Sequence, residues 1–491
     1  MKPENIGSRR ELFCDDALWE DWGGARQRLH RPQPSEIALR RDTVADDHLT
    51  SYYNILYDGV CYAMYYTAHG FDKKCGPWPH QHICRAQSED GIHWTKPHYG
   101  LYEFMGSREN NIVYLFDDDL LDNFCAFYDA NPACDPQQKY KAVAERVIDG
   151  VAVLNGLVSP DGIHWEDVGT ILTQGTFDTL NTCYYDGEAG VYRVYVRSWE
   201  RHADGGHLGE SGENDEVEPH AARTRTIATA TSPDFLHWSN ITPLEYGASP
   251  HYQMYTNNIA PYYRAPHLFM GFPTRYYERE WSPNFDKMAF AEKRRERIRQ
   301  FHSVRHGTAI SDGLFMTSRD GVHFHRFDDE PIFPNGIEGD GNWVYGDAYP
   351  AHGMVQTPAE NPGEPDEISM FLPDNKANAL RRCTIRLDGF VSLHTGSGET
   401  LLRSRLLRFT GSRLTFNFTT TAAGHFLVQL EAENGTPFAG YAFADCDETF
   451  GDSTERVITW GGREDVSPLA GQTVRLCLLC RETDFYSFRF C

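Results

Sequence analysis

The sequence predicts an all-β chain, a five-bladed β-propeller followed by a C-terminal β-sandwich, on three observations: a motif recurring at blade-length spacing, strand-like runs between its copies, and loss of the motif after about residue 394. The motif reads Ser88-Glu-Asp90-Gly91-Ile-His93-Trp94, Ser159-Pro-Asp161-Gly162-Ile-His164-Trp165, Ser232-Pro-Asp234-Phe-Leu-His237-Trp238 and Ser318-Arg-Asp320-Gly321-Val-His323-Phe324, with a fainter copy at Leu387-Asp388-Gly389-Phe390-Val391. Its aspartates are 71, 73, 86 and 68 residues apart, too far for solenoid repeats and right for propeller blades with elaborate loops.

Each motif has a structural reason. Asp-Gly turns the chain between antiparallel strands, the aspartate caps the turn, and the following aromatic ring packs between sheets. Strand-like runs precede the copies at 50–57 and 60–68, 110–115 and 124–128, 181–185 and 192–197, and 257–262 and 267–272, which with the strand leading into each motif and the strand after its turn make four per blade. Alternating runs at 413–419, 426–431, 456–460, 474–479 and 485–490 follow the last copy, giving expected domains of 1–394 (propeller) and 395–491 (sandwich). Two insertions interrupt the repeat: 200–223, rich in Gly, His and acids, and 286–302, with the composition of a helix.

At 491 residues and 40% hydrophobic, the chain can build two cores. Its 46 Lys and Arg stand against 70 Asp and Glu, a net charge of −24 that disfavours nucleic acid or an anionic membrane as partner. The start shows no apolar leader and no stretch approaches a membrane span, so a cytoplasmic location is expected. The 12 cysteines are scattered singly, and Cys477 with Cys480 lacks the second ligand pair of a zinc site. No metal or cofactor is expected, and the expected partner is a small carbohydrate substrate.

A propeller's innermost strands converge on its axis, so a ligand is expected in a central funnel at the starts of those strands. Polar residues that strand propensity disfavours recur there: Asp47 and Asn54 in blade one, Glu109, Asn110 and Asn111 in blade two, Asp178 and Asn181 in blade three, Asn257 and Asn258 in blade four. They form a candidate ring of amides and carboxylates for sugar hydroxyls, although the same residues also cap turns. Second strands add Arg197, Arg275 and Glu278, Asp312 precedes the third strand of blade four, and Tyr349 is a stacking candidate. Glycoside hydrolysis needs one protonated and one ionised carboxyl group, with Asp47, Glu109, Asp178 and Glu278 as the pool.

The Leu12-Phe13-Cys14-Asp15-Asp16 start, Glu109-Asn-Asn-Ile-Val, the Ser-x-Asp-Gly-x-His-Trp repeats, Tyr255-Thr-Asn257 and Asp388-Gly-Phe-Val-Ser-Leu together resemble bacterial proteins of the glycoside hydrolase family 32-like or family 43-like kind. That resemblance implies three axial carboxylates from different blades, here Asp47, Glu109 and Asp178. The Trp-Met-Asn-Asp-Pro-Asn, Arg-Asp-Pro and Glu-Cys signatures of true fructosidases are missing. The expectation is a glycoside hydrolase of small oligosaccharides or glycosides. A non-catalytic carbohydrate-binding propeller and a glycoside phosphorylase or lyase stand as alternatives, the phosphorylase requiring cations such as Arg197, Arg275 or Lys293-Arg294-Arg295.

Overall fold

The computed structural model describes residues 2–47, 49–72, 76–115, 121–201, 207–208, 223–339 and 341–491. Most of the 200–223 insertion therefore lies outside the described residues. Four-stranded antiparallel sheets follow one another along the chain. The first comprises Leu49–Tyr57, Tyr62–Asp72, Gly76–Ser88 and Ile112–Leu115, and the second Leu121–Tyr128, Tyr140–Ile148, Val151–Ser159 and Glu166–Leu172. The third is built on Thr182–Asp186, Val191–Arg201, Arg223–Ser232 and Thr242–Pro243, and the fourth on Ile259–Tyr262, Ala265–Gly271, Phe315–Ser318 and His325–Phe327. A three-stranded extension of Gln253–Met254, Thr274–Tyr277 and Ile310–Gly313 adjoins the fourth in sequence. The fifth contains Val355–Thr357, Glu367–Asp374 and Ala379–Arg386, and its outer strand is Gln33–Arg40 from near the N-terminus.

The repeated motif forms the turn its residues dictate. Asp90 Oδ1 accepts the amides of Ile92 and His93, both at 2.8 Å, while Oδ2 meets His93 Nδ1 at 2.7 Å. Asp161, Asp234 and Asp320 repeat this arrangement. The glycine is required twice over at Gly162: its φ is +70°, and a Cβ there would lie 2.5 Å from the Tyr65 hydroxyl that donates to its carbonyl. Phe235 takes the same left-handed conformation without being glycine, and it is held there by burial among Phe127, Tyr192 and Trp238. The motif aromatics reach the preceding sheet, Trp94 to Phe371 at 5.8 Å, Trp165 to Tyr65 at 5.9 Å and Phe324 to Tyr195 at 6.4 Å.

Innermost strands bond in a closed circuit. Asn54 of the first sheet exchanges two bonds with Ala126 of the second, at 2.6 and 3.0 Å. Asn123 of the second donates to Phe177 O before the third, and Thr182 of the third donates to Asn257 at 2.7 Å. Asn258 then donates to Pro350 O at 2.8 Å, and His352 and the first sheet's Tyr53 and Ile55 exchange backbone bonds at 2.8 Å.

Residues 4–29 leave this circuit. Glu4–Gly7, Glu11–Leu12, Trp19–Asp21 and Arg26–Leu29 join Val391–His394, Thr400–Phe409, Leu414–Glu431, Asp452–Val457 and Val474–Phe490 in a nine-stranded network around Phe13, Trp19, Phe416, Phe426 and Phe488. A division at residue 394 thus differs from this topology at the N-terminus, because pairing partners, and not sequence order, decide where those strands lie. Among the described residues, no helix is long and apolar enough to cross a membrane.

The fully buried Asp388 joins the two regions. It accepts Tyr262 Oη at 2.6 Å, Arg264 Nε at 2.8 Å and Ser487 Oγ at 2.6 Å, with Arg10 Nη1 at 3.3 Å. Burial opposes its ionisation, but Arg10, Arg264, Ser487 and Tyr262 outweigh it and hold the carboxyl below the ordinary carboxylate range. Because the folded value is lowered, its contribution to stability is full above the ordinary value and is lost as pH falls through the folded one. Asp388→Ala, which strands Arg10 and Arg264, is expected to cost about 3–5 kcal/mol in urea unfolding at neutral pH. A loss under about 1 kcal/mol would refute the hub.

Candidate functional site

A cavity of about 920 Å³ opens where the innermost strands begin. The first sheet supplies Thr50, Ser51, Tyr52, Tyr53 and His69, and the second Glu145 and Val147. Asp178, Tyr255, Asn258, Tyr345 and Tyr349 come from the segments that lead into the next three sheets. Helix α1 (Ala291–Phe301), the helix expected from the 286–302 insertion, adds Arg297, Gln300 and Phe301, and the turn after it adds Arg305 and His306. Tyr52 and Asn123 within inner strands, Asn258 just before one and Ala348 ahead of Val355–Thr357 all have positive φ.

Two carboxylates face this space. Asp178, its side chain 55% exposed, meets Arg197 Nη1 at 3.3 Å. Arg197 is 2% exposed, donates to Tyr255 O at 2.9 Å and lies 4.7 Å over the Tyr255 ring, so a fixed cation backs a solvent-facing carboxylate. Glu145 is 9% exposed. Asn123 Nδ2 donates both to Glu145 Oε2 at 3.4 Å and to the Phe177 carbonyl at 3.3 Å, so one amide ties Glu145 to the residue before Asp178. Tyr349 stands 5.5 Å from Tyr255, and Tyr255 Oη meets Tyr345 Oη at 2.5 Å, giving an aromatic wall.

Of the residues selected from sequence, Asp178, Asn258 and Tyr349 line the cavity, and Arg197 supports it from behind. Asn54, Asn110, Asn111, Asn181 and Asn257 are buried, and their side-chain amides bond mainly to backbone carbonyls. Asn181 does so within the loop that carries Asp178, donating to Phe177 O and Thr179 O at 2.9 and 3.0 Å. Their recurrence at strand starts thus has a structural cause, the joining of neighbouring sheets and loops. Glu109 and Glu278 are exposed and do not line the cavity. Arg275 and Asp312 hold each other in a two-bonded pair at 2.9 and 2.6 Å, also outside the lining. Asp47 follows a short turn with φ +49° next to the lining strand, whereas its neighbour Asp46 is buried against Lys96 and Tyr66.

Sequence reasoning missed Glu145, His69, Arg297 and Arg305. Glu145 sits in a second strand, where no local pattern marks it, and the others need the tertiary fold to meet. Among the described residues, no group of three or more His, Cys, Asp or Glu is placed to hold a metal ion.

No protein-family model matches the chain, and no curated protein matches it. Solved structures similar to it include an N-acetylgalactosamine deacetylase from F. plautii, 11% identical with a TM-score of 0.44 over 92% of this chain and 95% of that one. A Bombyx mori family-32 β-fructofuranosidase is 8% identical, TM-score 0.39, over 94% and 93%. A thermostable family-43 glycoside hydrolase is 10% identical, TM-score 0.39, over 74% and 95%. At these values the functional argument rests on the chain's own residues.

Burial, with His82 adding to it, lowers the His69 imidazole to about 3, and burial with Arg305 and Arg297 lowers His306 to about 4. Both rings are therefore neutral across the physiological range, and both cost stability as pH falls from the ordinary imidazole value toward their own. NMR titration of the ring protons should show neither taking up a proton above about pH 5, and a midpoint near the ordinary value of ~6.5 in either ring would contradict this.

Proposed function

We propose that the chain is a five-bladed β-propeller carrying a β-sandwich completed by residues 4–29, and that it is a glycoside hydrolase acting on a small oligosaccharide or glycoside in the axial cavity. Five sheets bonded in a circuit, four of them four-stranded and the third with a short fifth strand, support the first part. The second rests on one observation, the Asn123 amide that brings Glu145 and Asp178 from neighbouring sheets to one cavity wall.

Two carboxyl groups beside a space that admits a sugar can divide the work of glycoside cleavage. Glu145, shielded and hydrogen-bonded, suits the acid that gives its proton to the departing glycosidic oxygen. Asp178, exposed and held by Arg197, suits the ionised partner that attacks the anomeric carbon or takes a proton from water. The tyrosines at 255, 345 and 349 offer aromatic surface for sugar rings.

Release from a panel of nitrophenyl furanosides and pyranosides, sucrose and short fructans tests the reading. Asp178→Asn and Glu145→Gln should each lower turnover of the accepted substrate by at least about a hundredfold with the fold intact by circular dichroism. Wild-type rates in both variants, or no release from any substrate, would remove the hydrolase reading and leave sugar binding without cleavage.

A further inference from the structure

One end of the cavity is cationic in a protein whose net charge is −24. Arg305 is half-buried there. Its Nη2 donates to Tyr345 Oη at 2.6 Å and reaches Tyr255 Oη at 3.4 Å, and its guanidinium lies 4.7 Å over the Tyr345 ring. Among the described residues its Nε is buried without an acceptor and it forms no ion pair. Tyr276, 2% exposed and 5.8 Å from Tyr345, likewise has a hydroxyl with no partner among them. An arginine that those residues satisfy with phenols alone has donors left for a ligand.

Helix α1 makes the contrast internal. Its outward arginines are neutralised, Arg295 by Asp286 and Glu292, and Arg299 by Glu292 and Glu296. Arg294 turns inward and donates to the Trp343 carbonyl at 2.8 Å. Among the described residues Arg297, the arginine of this helix that lines the cavity, has no acidic partner. Behind the tyrosines, Arg225 lies 5.4 Å from the rings of both Tyr255 and Tyr276. Burial and then Arg197 push Arg225 below the usual guanidinium range, and Arg305 and Arg297 add to the lowering of His306.

We propose that Arg297 and Arg305 form an oxyanion subsite at the α1 end of the cavity, and that the substrate is an acidic carbohydrate whose carboxylate, sulfate or phosphate group docks there. This rests on the carbohydrate reading of the cavity. Guanidinium groups receive such oxyanions through paired N–H donors. The same chemistry could instead receive free phosphate as a second reactant.

Calorimetric titration of the full chain with glucuronate, galacturonate and glucose 6-phosphate, with glucose and galactose, and with inorganic phosphate tests the proposal. Arg297→Gln, at an exposed helical position, and Arg305→Lys, which keeps the charge but not the fork, are titrated alongside. Acidic sugars should bind at least about tenfold more tightly than their neutral counterparts, lose about tenfold in each variant, and weaken with added salt. Tight binding of inorganic phosphate that the variants abolish, with neutral sugars still bound, supports the subsite and assigns its anion to free phosphate. Phosphate bound with no sugar bound at all supports the subsite and removes the carbohydrate reading. Neutral and acidic sugars bound equally, unaffected by either substitution, would overturn the subsite and leave that reading standing. Binding of no sugar and no phosphate overturns both.

Discussion

Everything near the cavity depends on the hydrogen bonds that join each innermost strand to the next. Asn54 to Ala126, Asn123 to Phe177, Thr182 to Asn257, Asn258 to Pro350 and the His352 bridge to Tyr53 and Ile55 are buried polar contacts between sheets. Each is worth only about 1 kcal/mol when made, but an unmade one leaves a buried polar group at larger cost, so the circuit is strongly specified. The fifth sheet can take its place only because Gln33–Arg40 completes it, which ties one end of the chain to residues more than three hundred positions away.

Loop closure of that length is slow to reward and needs a second fastening. Asp388 provides one. It gathers Arg10, Tyr262 with Arg264, and Ser487 from three separate stretches of sequence, and the strands that carry residues 4–29 are thereby held beside the fourth and fifth sheets. A buried carboxylate with two guanidinium partners and two hydroxyl donors specifies geometry more than it adds stability, since both kinds of charge surrender hydration to meet. Its place in the faint fifth motif copy shows how a turn residue is diverted: Asp90, Asp161, Asp234 and Asp320 cap their own turns, whereas Asp388 bonds to distant side chains.

The electrostatics of the cavity run against the chain as a whole. Acid pairs neutralise Arg295 and Arg299 of α1, while the cavity is lined by the exposed Arg297 and by Arg305, which donates to a phenol. Two like charges set beside one space repel each other, and a ligand of the opposite charge relieves that repulsion. The asparagines chosen from sequence fell into the opposite class. They were conspicuous because strand propensity disfavours them, and the physical cause proved to be backbone carbonyls that needed donors.

By itself, the sequence determined the strands, the turns between them and the repeat. Period-two alternation, Asp-Gly turns and the aromatic after each turn are local signals, readable within a dozen residues. It also marked Asp178 and Tyr349, because both stand where an inner strand begins, and the helical composition of 286–302 announced α1. Only the tertiary structure decided that residues 4–29 pair beyond residue 391, that Glu145 faces the cavity as Asp178 does, and that Arg297 and Arg305 meet no acid partner among the described residues. Those facts depend on which distant groups come within a few ångströms of one another, and no local pattern of residue types encodes that distance.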